Sequence, residues 1–503
     1  MKYNNLKLFI GGEFVDAEQG ETFQSLNPAN GEPIAQAAWA GPKDASRAVE
    51  AASKALEEGP WAEMSAQERR DLMLKLAGLL KARLEDFAVM ECLDAGALIS
   101  KARADVSLGV SQLKYFAEQA LRYDRKPQPV EGMQKPGRSF THTVREPIGV
   151  CAQIIPWNFP LTMAIWKLGP ALATGNTLVL KCAPETPVSA LQIARLCDEA
   201  GFPPGVINII TGDADVGEAL LKHPKVRKVS FTGSTEVGRQ IMAGAAADMK
   251  RLTLECGGKS ANIVLDDADP AIAVDGSLYA TFFHSGQVCE SGTRLFLSNA
   301  KHDDFVGRMV ERVEKMKIGD PMDPETTIGP VVSEKQLARV MGYIDLGVKA
   351  GAKVAVGGKS PKSEALRNGF FVEPTIFTDV TNDMRIAREE IFGPVLSVLR
   401  YGSVDEAVRM ANDSEYGLAA GVWGADESAE KVAAQLQAGW VWINEWHMLS
   451  VSAPFGGYKQ SGIGREFGEI GLDAYTEIKT IYKDDTRSRA KKFWYDVVVP
   501  AAE

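Results

Sequence analysis

From residue 148 onward, short apolar segments typical of β-strands alternate with helical segments at nearly regular intervals. The predicted strands are 148–155, 177–181, 206–211, 228–232 and 251–255, and the predicted helices between them are 161–174, 187–200, 215–222 and 235–247. Strands that alternate with helices form parallel sheets from βαβ units, and such sheets bind ligands at the carboxyl ends of their strands. The alternation therefore predicts an α/β fold with a ligand-binding sheet.

A second alternating series follows Gly257. Its predicted strands are 262–265, 294–297, 395–401, 419–423 and 440–444, with helices around 271–284, 302–316, 404–411 and 427–438. A chain of 503 residues is also too long for one ordinary hydrophobic core. We therefore expect two α/β domains, with Cys289 at the start of the second.

The segment before the first series is less regular. A capping box at 65–68 predicts a helix that runs to Leu84, and helical periodicity also covers 107–123. A Pro-, Gly- and charge-rich segment, 124–138, is followed by alternating apolar and polar residues at 140–145. From the pattern alone, this stretch is either an extended ribbon that leaves the domain or a plain linker.

The charge and composition of the chain exclude several kinds of partner. The formal net charge is −10, whereas nucleic acids and anionic membranes select basic surfaces, so neither is expected as a partner. No apolar run approaches the ~20 residues of a membrane-spanning helix, and no signal peptide is visible. Six scattered cysteines without a CxxC pair fit reduced thiols in the cytoplasm. The histidines show no HExxH motif or His/Cys cluster, so we expect no metal site.

Two glycine-rich segments are candidates for phosphate binding. The run 257–260 (GGKS) imitates the end of a P-loop, but Thr253 stands where the first glycine belongs, which excludes that motif. The run 231–238 (FTGSTEVG) ends a predicted strand and begins a predicted helix. Its backbone N–H groups and helix N-terminus could hold a pyrophosphate, although glycine also serves simple strand-to-helix turns.

Three residues could carry chemistry. Cys289 lies between Gly286 and Gly292, which allow close approach to the sulfur, but an inert buried thiol is the alternative. Glu255 ends the last strand of the first series, where a carboxylate is either a general base or a surface cap. Asn158 lies between two prolines, where its amide is either an oxyanion donor or part of an Asx turn.

Six motifs, taken together, resemble those of the NAD(P)-dependent aldehyde dehydrogenases of the hydrolytic, non-acylating type. They are PWNFP (156–160), FTGSTEVG (231–238), LECGGK (254–259), GQVC (286–289), EEIFGP (389–394) and PFGGYKQSG (454–462). They occur in the order and at the spacing of that family, and the similarity covers roughly residues 8–482. One such motif is weak, but six in register are highly specific.

The resemblance implies an α/β fold with a Rossmann-like cofactor domain, an α/β catalytic domain and a β-ribbon oligomerisation element. The implied ranges are 1–123 and 147–256 for the NAD(P)-binding domain, 257–454 for the catalytic domain, 124–146 and 470–483 for the oligomerisation strands, and 484–503 for a C-terminal extension. By similarity, the stretch 124–146 is a ribbon rather than a linker, and the protein is a homotetramer or homodimer.

The resemblance also implies oxidation of an aldehyde to the carboxylic acid. The thiolate of Cys289 would add to the aldehyde carbon, although an ordinary Cys with a pKa of ~8.5 supplies little thiolate at neutral pH. The Asn158 amide and the Cys289 backbone N–H would hold the oxygen of the thiohemiacetal. Glu255 would activate the water that hydrolyses the thioester and could also take the thiol proton. Lys167 and Glu466 would form a proton path to Glu255.

Further positions of this chain match the family's ligand-binding residues. The implied cofactor-binding residues are Ile154, Pro156, Trp157, Lys181, Glu185, Gly233, Ser234, Gly257, Glu390 and Phe392. The implied substrate residues are Met163, Trp166, Val288, Glu290 and Phe455. Trp166 and Phe455 favour an apolar or aromatic aldehyde, but which aldehyde the protein oxidises is left open.

The chain departs from the family pattern in three places. The expected cofactor is NAD, but Pro184 stands where the family often has a Glu that binds both ribose hydroxyls of NAD. Without that carboxylate there is less repulsion toward a 2′-phosphate, so NADP is also conceivable, unless Glu185 takes the place of the missing Glu. Cys256 follows Glu255 where Leu is usual, and the chain continues past the usual end of the fold near residue 483. Two alternative functions are a CoA-acylating semialdehyde dehydrogenase, which would not need the base Glu255, and a non-catalytic binding protein on the same fold.

Overall fold

The computed structural model describes residues 2–136 and 138–499 of the chain. Residues 1, 137 and 500–503, which belong to the predicted cofactor domain, ribbon and C-terminal extension, lie outside the described residues. Within the described part of the chain, no helix is both long enough and apolar enough to span a membrane.

Strands and helices alternate through most of the chain. The strands are β1 (Tyr3–Leu6), β2 (Leu8–Ile10), β3 (Glu13–Val15), β4 (Thr22–Leu26), β5 (Pro33–Ala38), β6 (Gln128–Pro129), β7 (Ser139–Pro147), β8 (Val150–Ile154), β9 (Thr177–Lys181), β10 (Ile207–Ile210), β11 (Val226–Thr232), β12 (Arg251–Glu255), β13 (Ala261–Val264), β14 (Arg294–Ser298), β15 (Lys353–Val356), β16 (Thr375–Thr378), β17 (Val395–Tyr401), β18 (Tyr416–Gly417), β19 (Ala419–Trp423), β20 (Trp440–Ile443), β21 (Tyr458–Lys459), β22 (Gly462–Ile463) and β23 (Thr476–Asp484). The helices are α1 (Pro42–Glu57), α2 (Pro60–Glu63), α3 (Ala66–Ala82), α4 (Leu84–Ala95), α5 (Ile99–Ala120), α6 (Pro160–Ala173), α7 (Val188–Ala200), α8 (Ala214–Lys222), α9 (Thr235–Ala245), α10 (Pro270–Phe282), α11 (His302–Val313), α12 (Glu334–Lys349), α13 (Arg385–Arg388), α14 (Val404–Asn412), α15 (Asp426–Ala433) and α16 (Gly468–Asp473).

The first large sheet has the strand order β22-β12-β11-β8-β9-β10-β2-β3. Its five central strands, β12, β11, β8, β9 and β10, are parallel, which confirms the first alternating series. The chain leaves β8 in one direction and returns to β11 on the other side of it. Adjacent strands that diverge in this way leave a crevice at their carboxyl ends, where open α/β sheets bind ligands.

The second large sheet has the order β15-β16-β17-β14-β13-β19-β20. All its pairings are parallel except that of β15 with β16, which confirms the second alternating series. The short strand β22 comes from the segment after this domain and pairs antiparallel with β12 of the first sheet. The last part of the chain therefore returns to the first large sheet.

A separate sheet of three strands forms the ribbon. Strand β7 pairs antiparallel with β23 from Ser139↔Asp484 to Pro147↔Thr476, and the short β6 pairs with β7. The prediction that the second ribbon strand covers 470–483 was wrong at its start, because 470–473 lies in helix α16. That helix buries Gly471 and Leu472, so its pattern is that of a packed helical turn rather than a strand.

Helix α5 begins earlier than predicted, and helix α12 was not predicted from the sequence. Helix α5 begins at Ile99 rather than at 107, and its N-terminus has no side-chain cap that would mark the start. Helix α12 was missed although Ser333 caps it by accepting a hydrogen bond from the backbone N–H of Gln336. The predicted capping box at Ser65 and Glu68 is confirmed at the start of α3.

Helix α6 is the element that brings the first domain to the site. Every side chain from Pro160 to Ala173 is buried, because α6 lies inside the largest hydrophobic cluster, where it packs against α5 and α7. A helix that is apolar on all sides can be stable only in the interior. Its position fixes Met163, Trp166 and Lys167, which all lie on it.

Candidate active site

Cys289 follows a tight turn that only a few residue types adopt readily. The 3₁₀ turn Phe283–Gly286 contains left-handed backbone at His284 (φ 51°), Ser285 (φ 54°) and Gly286 (φ 72°). A Cβ at Gly286 would lie 2.2 Å from the carbonyl oxygen of Gly393. Gly286 is therefore required for backbone contact with the 389–394 motif rather than for access of a substrate to the sulfur.

Asn158 is brought to the turn before Cys289 by the segment between β8 and α6. Its Nδ2 donates a hydrogen bond of 2.8 Å to the carbonyl oxygen of Gln287, two residues before Cys289. The side-chain Oε1 of Gln287 in turn accepts from the backbone N–H of Val332 at 2.9 Å. The amide of Asn158 is thus buried beside the turn that carries the thiol.

Glu255 is the last residue of β12 and is 4% exposed. Among the described residues, neither of its carboxylate oxygens has a hydrogen-bond partner. Burial, together with the negative charge of Glu466, raises its pKa well above the ordinary value. A carboxyl group with a raised pKa is a stronger base, once it is ionised, than an ordinary carboxylate.

Lys167 and Glu466 form a buried ion pair behind Glu255. The Nζ of Lys167 lies 2.5 Å from Oε1 of Glu466, and the two side chains are 0% and 1% exposed. The hydroxyl of Ser230 donates to the same oxygen at 3.1 Å. The positive charge of Lys167 also acts on Glu255 and partly offsets the rise of its pKa.

A cavity of about 580 Å³ connects these residues. The predicted site residues that line it are Pro156, Trp157, Asn158, Met163, Trp166, Glu185, Gly233, Ser234, Glu255, Gly257, Cys289, Glu290, Glu390, Phe392 and Phe455. They come from both large domains and from the 454–462 motif. The cavity therefore lies at the carboxyl ends of the first sheet, where the crevice was expected.

Five predicted site residues do not line this cavity. Ile154 and Lys181 are paired neighbours at the ends of β8 and β9. Val288 is buried in the core, and Lys167 and Glu466 lie behind Glu255. None of the five contributes to the cavity wall, so contact of Val288 with a substrate is not supported by its position.

One side of the cavity has the features of a dinucleotide site. Ser234 caps α9 by accepting a hydrogen bond from the backbone N–H of Val237. Glu390 accepts from the backbone N–H of Gly258 at 3.0 Å, and burial raises its pKa to about 7. The rings of Trp157 and Phe392 meet edge to face at 5.2 Å.

The opposite side of the cavity is mainly aromatic and contains residues that the sequence analysis missed. These are Phe159, Tyr279, Phe283, His447, Met448 and Leu449. His447 contacts Glu290, with 3.1 Å between its Nδ1 and Oε1 of the carboxylate. In the sequence, His447 is marked only by its place directly before two apolar residues, and only the fold places it beside Glu290.

The thiol itself is not activated in the resting structure. Burial raises the pKa of Cys289 well above its ordinary value, and the charges of Glu290, Glu390 and Glu255 act in the same direction. The Sγ donates a hydrogen bond to Oε2 of Glu290 at 3.1 Å. Cys289 is therefore held as a neutral thiol until a base removes its proton.

Neither a disulfide nor a cluster of metal-binding side chains is found in the described part of the chain. All six cysteines are free thiols. Among residues 2–136 and 138–499, no group of three or more His, Cys, Asp or Glu side chains could hold a metal ion. The departure at Cys256 is accommodated by packing, since a Cβ at Gly238 would lie 2.6 Å from its sulfur.

Comparison with known proteins identifies similar chains along almost the whole length. The model of the aldehyde dehydrogenase family matches residues 14–481. Betaine aldehyde dehydrogenase of Bacillus subtilis (strain 168) is 44% identical over 479 residues, which are 95% of this chain and 97% of the relative. Mitochondrial aldehyde dehydrogenase of Homo sapiens is 45% identical over 480 residues, which are 94% of this chain and 91% of the relative.

Solved structures give the same result. The NAD⁺ complex of aldehyde dehydrogenase from Bacillus cereus has a TM-score of 0.92 and 46% identity, and the match covers 95% of this chain and 96% of that one. Betaine aldehyde dehydrogenase from Staphylococcus aureus in complex with NAD⁺ has a TM-score of 0.93 and 40% identity, with 96% of each chain covered.

Proposed function

The chain belongs to the aldehyde dehydrogenase family, and we propose that it oxidises an aldehyde to the carboxylic acid with NAD⁺. The observation that carries the proposal is that Cys289, Asn158 and Glu255 meet in one cavity, although they come from distant parts of the chain. A thiol nucleophile, an amide donor and a carboxyl base are the groups that oxidation through a thioester requires.

Cys289 and Asn158 act in the first half of the reaction. The sulfur bonds to the aldehyde carbon, and the Asn158 amide and the backbone N–H of Cys289 donate to the oxygen. Asn158 now donates to the carbonyl of Gln287, so it exchanges this partner for the substrate oxygen when an aldehyde binds. Loss of one donor of this kind typically lowers the rate ~10²–10³-fold.

Glu255 acts in the second half, the hydrolysis of the thioester. It takes a proton from water once it is ionised, and its high pKa makes it a strong base for this purpose. The buried pair of Lys167 and Glu466, with Ser230 beyond it, provides hydrogen-bonding groups through which the proton can leave. Lys167 and Glu466 therefore serve proton transfer and do not contact the substrate.

The residues present fit a nicotinamide dinucleotide. Capped by Ser234, the N-terminus of α9 directs N–H groups and the helix dipole toward a pyrophosphate. Gly257 leaves room for the carboxylate of Glu390, because a Cβ there would lie 2.4 Å from its Oε2. Trp157 and Phe392 would flank the nicotinamide half. When bound, the oxidised nicotinamide accepts the hydride that leaves the substrate carbon.

NAD⁺ is proposed over NADP⁺ despite the proline at position 184. Burial lowers the pKa of Lys181, but the carboxylates of Asp213, Glu185 and Asp215 act against this shift. These acidic groups surround the lysine that would bind the adenosine ribose. Negative charge at this position repels a 2′-phosphate, so the missing family Glu is compensated by other acids.

The proposed substrate is an uncharged aldehyde with an apolar or aromatic body. Trp166 and Phe455 stand edge to face at 5.6 Å, and Tyr279 and Phe283 add further aromatic surface. The cavity carboxylate of Asp105 is paired with Lys101. Because betaine aldehyde dehydrogenases are among the similar proteins, a quaternary ammonium aldehyde is the second candidate, which the aromatic rings would also favour.

The protein is proposed to act in the cytoplasm as a homotetramer or homodimer. Free thiols are typical of a reducing compartment. On the ribbon, the exposed side chains of β23 include Ile478 and Tyr482, which are 58% and 57% exposed. Exposed apolar side chains on the ribbon favour burial against another copy of the chain.

One panel of assays tests the proposed function. Reduction of NAD⁺ and NADP⁺ is measured with aromatic, aliphatic and quaternary ammonium aldehydes, each with and without CoA. We expect NADH and a free carboxylic acid, no need for CoA, preference for NAD⁺, and no activity in Cys289→Ala. An acyl-CoA product, or NADH formation by the Cys289→Ala protein, would contradict the proposal.

A further inference from the structure

Glu290 connects the nucleophile to a histidine. Its Oε2 accepts the hydrogen bond from the Cys289 thiol, with 3.1 Å between Oε2 and Sγ. Its Oε1 lies 3.1 Å from Nδ1 of His447. The side chains of Glu290 and His447 are 9% and 4% exposed, so the three groups are in contact inside the cavity and shielded from bulk water.

His447 is held in one position by several independent contacts. Its backbone is left-handed, with φ 61°, a conformation that histidine adopts more readily than most residues. The rings of Tyr279 and Phe283 pack against the imidazole at 5.2 and 5.1 Å. Trp446 donates from Nε1 to the carbonyl oxygen of Glu290 at 3.2 Å. Glu290 is therefore held at its side chain by His447 and at its backbone by Trp446.

Glu290 and Glu255 differ in their readiness to accept a proton. Glu255 has a strongly raised pKa and no hydrogen-bond partner among the described residues. Burial also acts to raise the pKa of Glu290, but the hydrogen bonds with His447 and Cys289 outweigh it, so this pKa lies below its ordinary value. A general base must be ionised and within reach of the proton that it removes. Glu290 contacts the thiol and has a lowered pKa, so it meets both conditions, whereas Glu255 has no hydrogen bond to the thiol.

We propose that Glu290 is the base that takes the thiol proton when Cys289 attacks the aldehyde, and that His447 is the positioning residue that holds Glu290 for this transfer. The inference rests on the proposed function and deepens it, because it divides the base chemistry between two carboxylates. Glu255, which the sequence analysis considered for both steps, keeps only the activation of water.

The proposed proton transfers balance over one turnover. As the S–C bond forms, the S–H bond breaks, the proton moves to Oε2 of Glu290, and the carbonyl π-electrons move to oxygen. After loss of hydride to the nicotinamide, the ionised carboxylate of Glu255 takes a proton from water, whose oxygen bonds to the thioester carbon. This proton then leaves past Lys167 and Glu466, so that one proton is released per turnover. The C–S bond then breaks, and the departing sulfur recovers its proton from Glu290. Cys289 and Glu290 thus return to their resting states.

This assignment predicts opposite effects on two measurable properties. In the resting enzyme, burial is the largest cause of the raised pKa of the Cys289 thiol. The negative charge of Glu290 and its hydrogen bond raise this pKa further, and the charges of Glu390 and Glu255 act in the same direction. Removing the charge of Glu290 therefore makes the thiolate easier to form without substrate. The same change removes the base during turnover, so attack on the aldehyde slows.

The experiment compares Glu290→Gln with the wild type. Alkylation of Cys289 by iodoacetamide, without aldehyde, is followed over a pH series, and the pre-steady-state burst of NADH reports attack and hydride transfer. We expect the alkylation midpoint to move to lower pH and the burst rate to fall ~10²-fold or more, the usual effect of losing a general base. Glu445→Gln, the same change at an exposed carboxylate two residues from His447, is expected to alter neither property.

Two further variants separate a base from a structural residue. Glu290→Asp keeps the charge but shortens the reach, so it should keep an alkylation midpoint near the wild-type value while its burst slows. His447→Phe keeps the aromatic packing but loses the donor to Glu290, so the acid limb of the burst rate should move to higher pH. His447→Gln, which restores a donor, should move that limb back.

An unchanged alkylation midpoint or an unchanged burst rate in Glu290→Gln overturns the inference. A rise in KM for one class of aldehyde, with kcat and the burst rate intact, would instead identify Glu290 as a substrate contact and also overturn it. If Glu290→Gln does not fold, Glu290→Asp and His447→Phe decide by the same criteria. A wild-type protein that reduces no NAD⁺ with any aldehyde refutes the proposed function, whereas its alkylation profiles still show whether Glu290 holds the thiol proton.

Discussion

Glu255 and Glu290 are two carboxyl groups of one cavity with opposite shifts of pKa. The pKa of Glu255 is raised because the side chain is buried without hydrogen-bond partners among the described residues. The pKa of Glu290 is lowered because His447 and Cys289 form hydrogen bonds to its carboxylate. Pairs of titratable groups whose surroundings push their pKa values apart are a common way to assign separate acid and base roles. Here the separation allows one acid to serve the thiol and the other to serve water.

The role of Glu255 predicts a specific kinetic defect in Glu255→Gln. Attack and hydride transfer do not need this residue, so we expect a burst of about one NADH per active site, followed by turnover that is ~10²–10⁴-fold slower than wild type. The measurement is stopped-flow NADH absorbance with an excess of aldehyde. Loss of the burst together with turnover would contradict the division of roles.

Glu255 also determines the direction in which wild-type turnover changes with pH. Glu255 must be ionised to accept a proton from water, and its raised pKa keeps it neutral at low pH. Turnover limited by hydrolysis therefore rises with pH through this raised value rather than through the ordinary range of a Glu near ~4.3. Glu255→Gln should lose that limb, while Glu445→Gln should keep it.

At the scale of the element, the turn before Cys289 connects the nucleophile to the cofactor side of the cavity. Gly286 touches the backbone of Gly393, and Gly393 immediately follows the 390–392 segment that faces the cofactor site. Gly258 is in a similar position, because a Cβ there would lie 2.4 Å from the carbonyl oxygen of Cys289. The position of the thiol is therefore fixed by backbone packing from two directions.

Gly286→Ala tests this connection. The new Cβ would lie 2.2 Å from the Gly393 oxygen, and alanine resists the left-handed φ of 72°, so the two loops must separate. We expect a loss of ~1–3 kcal/mol of stability, as for overpacked sites, and weaker NAD⁺ binding measured by fluorescence titration. Gly342→Ala is the control, since Gly342 is exposed on α12 with no atom within 4 Å of its Cβ position. Equal NAD⁺ affinity in both variants would contradict the connection.

The regular elements were more predictable than the irregular ones. Strand–helix alternation placed the parallel strands of both sheets because apolar periodicity depends on local burial, which the sequence contains. The start of α5 and the turn of α16 were missed, because neither has a side-chain cap that marks its boundary. Boundaries without caps are set by tertiary packing, which is not visible in one segment of sequence.

The site was predictable in its motif residues and not in its pairings. Cys289, Asn158 and Glu255 lie in recognisable motifs, and the structure brings them to one cavity. His447 is 157 positions from Glu290, so only the packing of the loop after β20 beside the nucleophile reveals their contact. Contacts at such separation depend on the whole topology.

At the scale of the whole molecule, the C-terminal segment adds apolar surface to the ribbon. It continues from β23 through short 3₁₀ turns, and Lys492 pairs with Asp484 of that strand at 3.0 Å. Phe493 is 69% exposed and Val497 is 85% exposed. Exposed aromatic and aliphatic side chains next to the apolar ribbon favour a contact with another copy of the chain.

Truncation after Asp485 tests that contact. The truncated chain lacks Phe493, Trp494 and their neighbours, so their apolar surface can no longer be buried against another copy. We therefore expect the dissociation constant of the assembly to rise at least ~10-fold, equivalent to ~1.4 kcal/mol. Sedimentation velocity over a dilution series measures this change, and removal of 500–503 alone is the control. An oligomeric state and kinetics identical to the full chain would exclude a role for this segment.

The return of the chain to the first sheet at β22 has a consequence for the time course of synthesis. Lys167 is buried, and its carboxylate partner Glu466 is made 299 residues later. A nascent chain that has formed β8 to β12 therefore holds Lys167 without its ion-pair partner, and β22 has not yet covered the edge strand β12. The first sheet therefore cannot be completed until nearly the whole chain has been translated. Until then, β12 is an open edge of the sheet, and open edges are prone to pair with other chains.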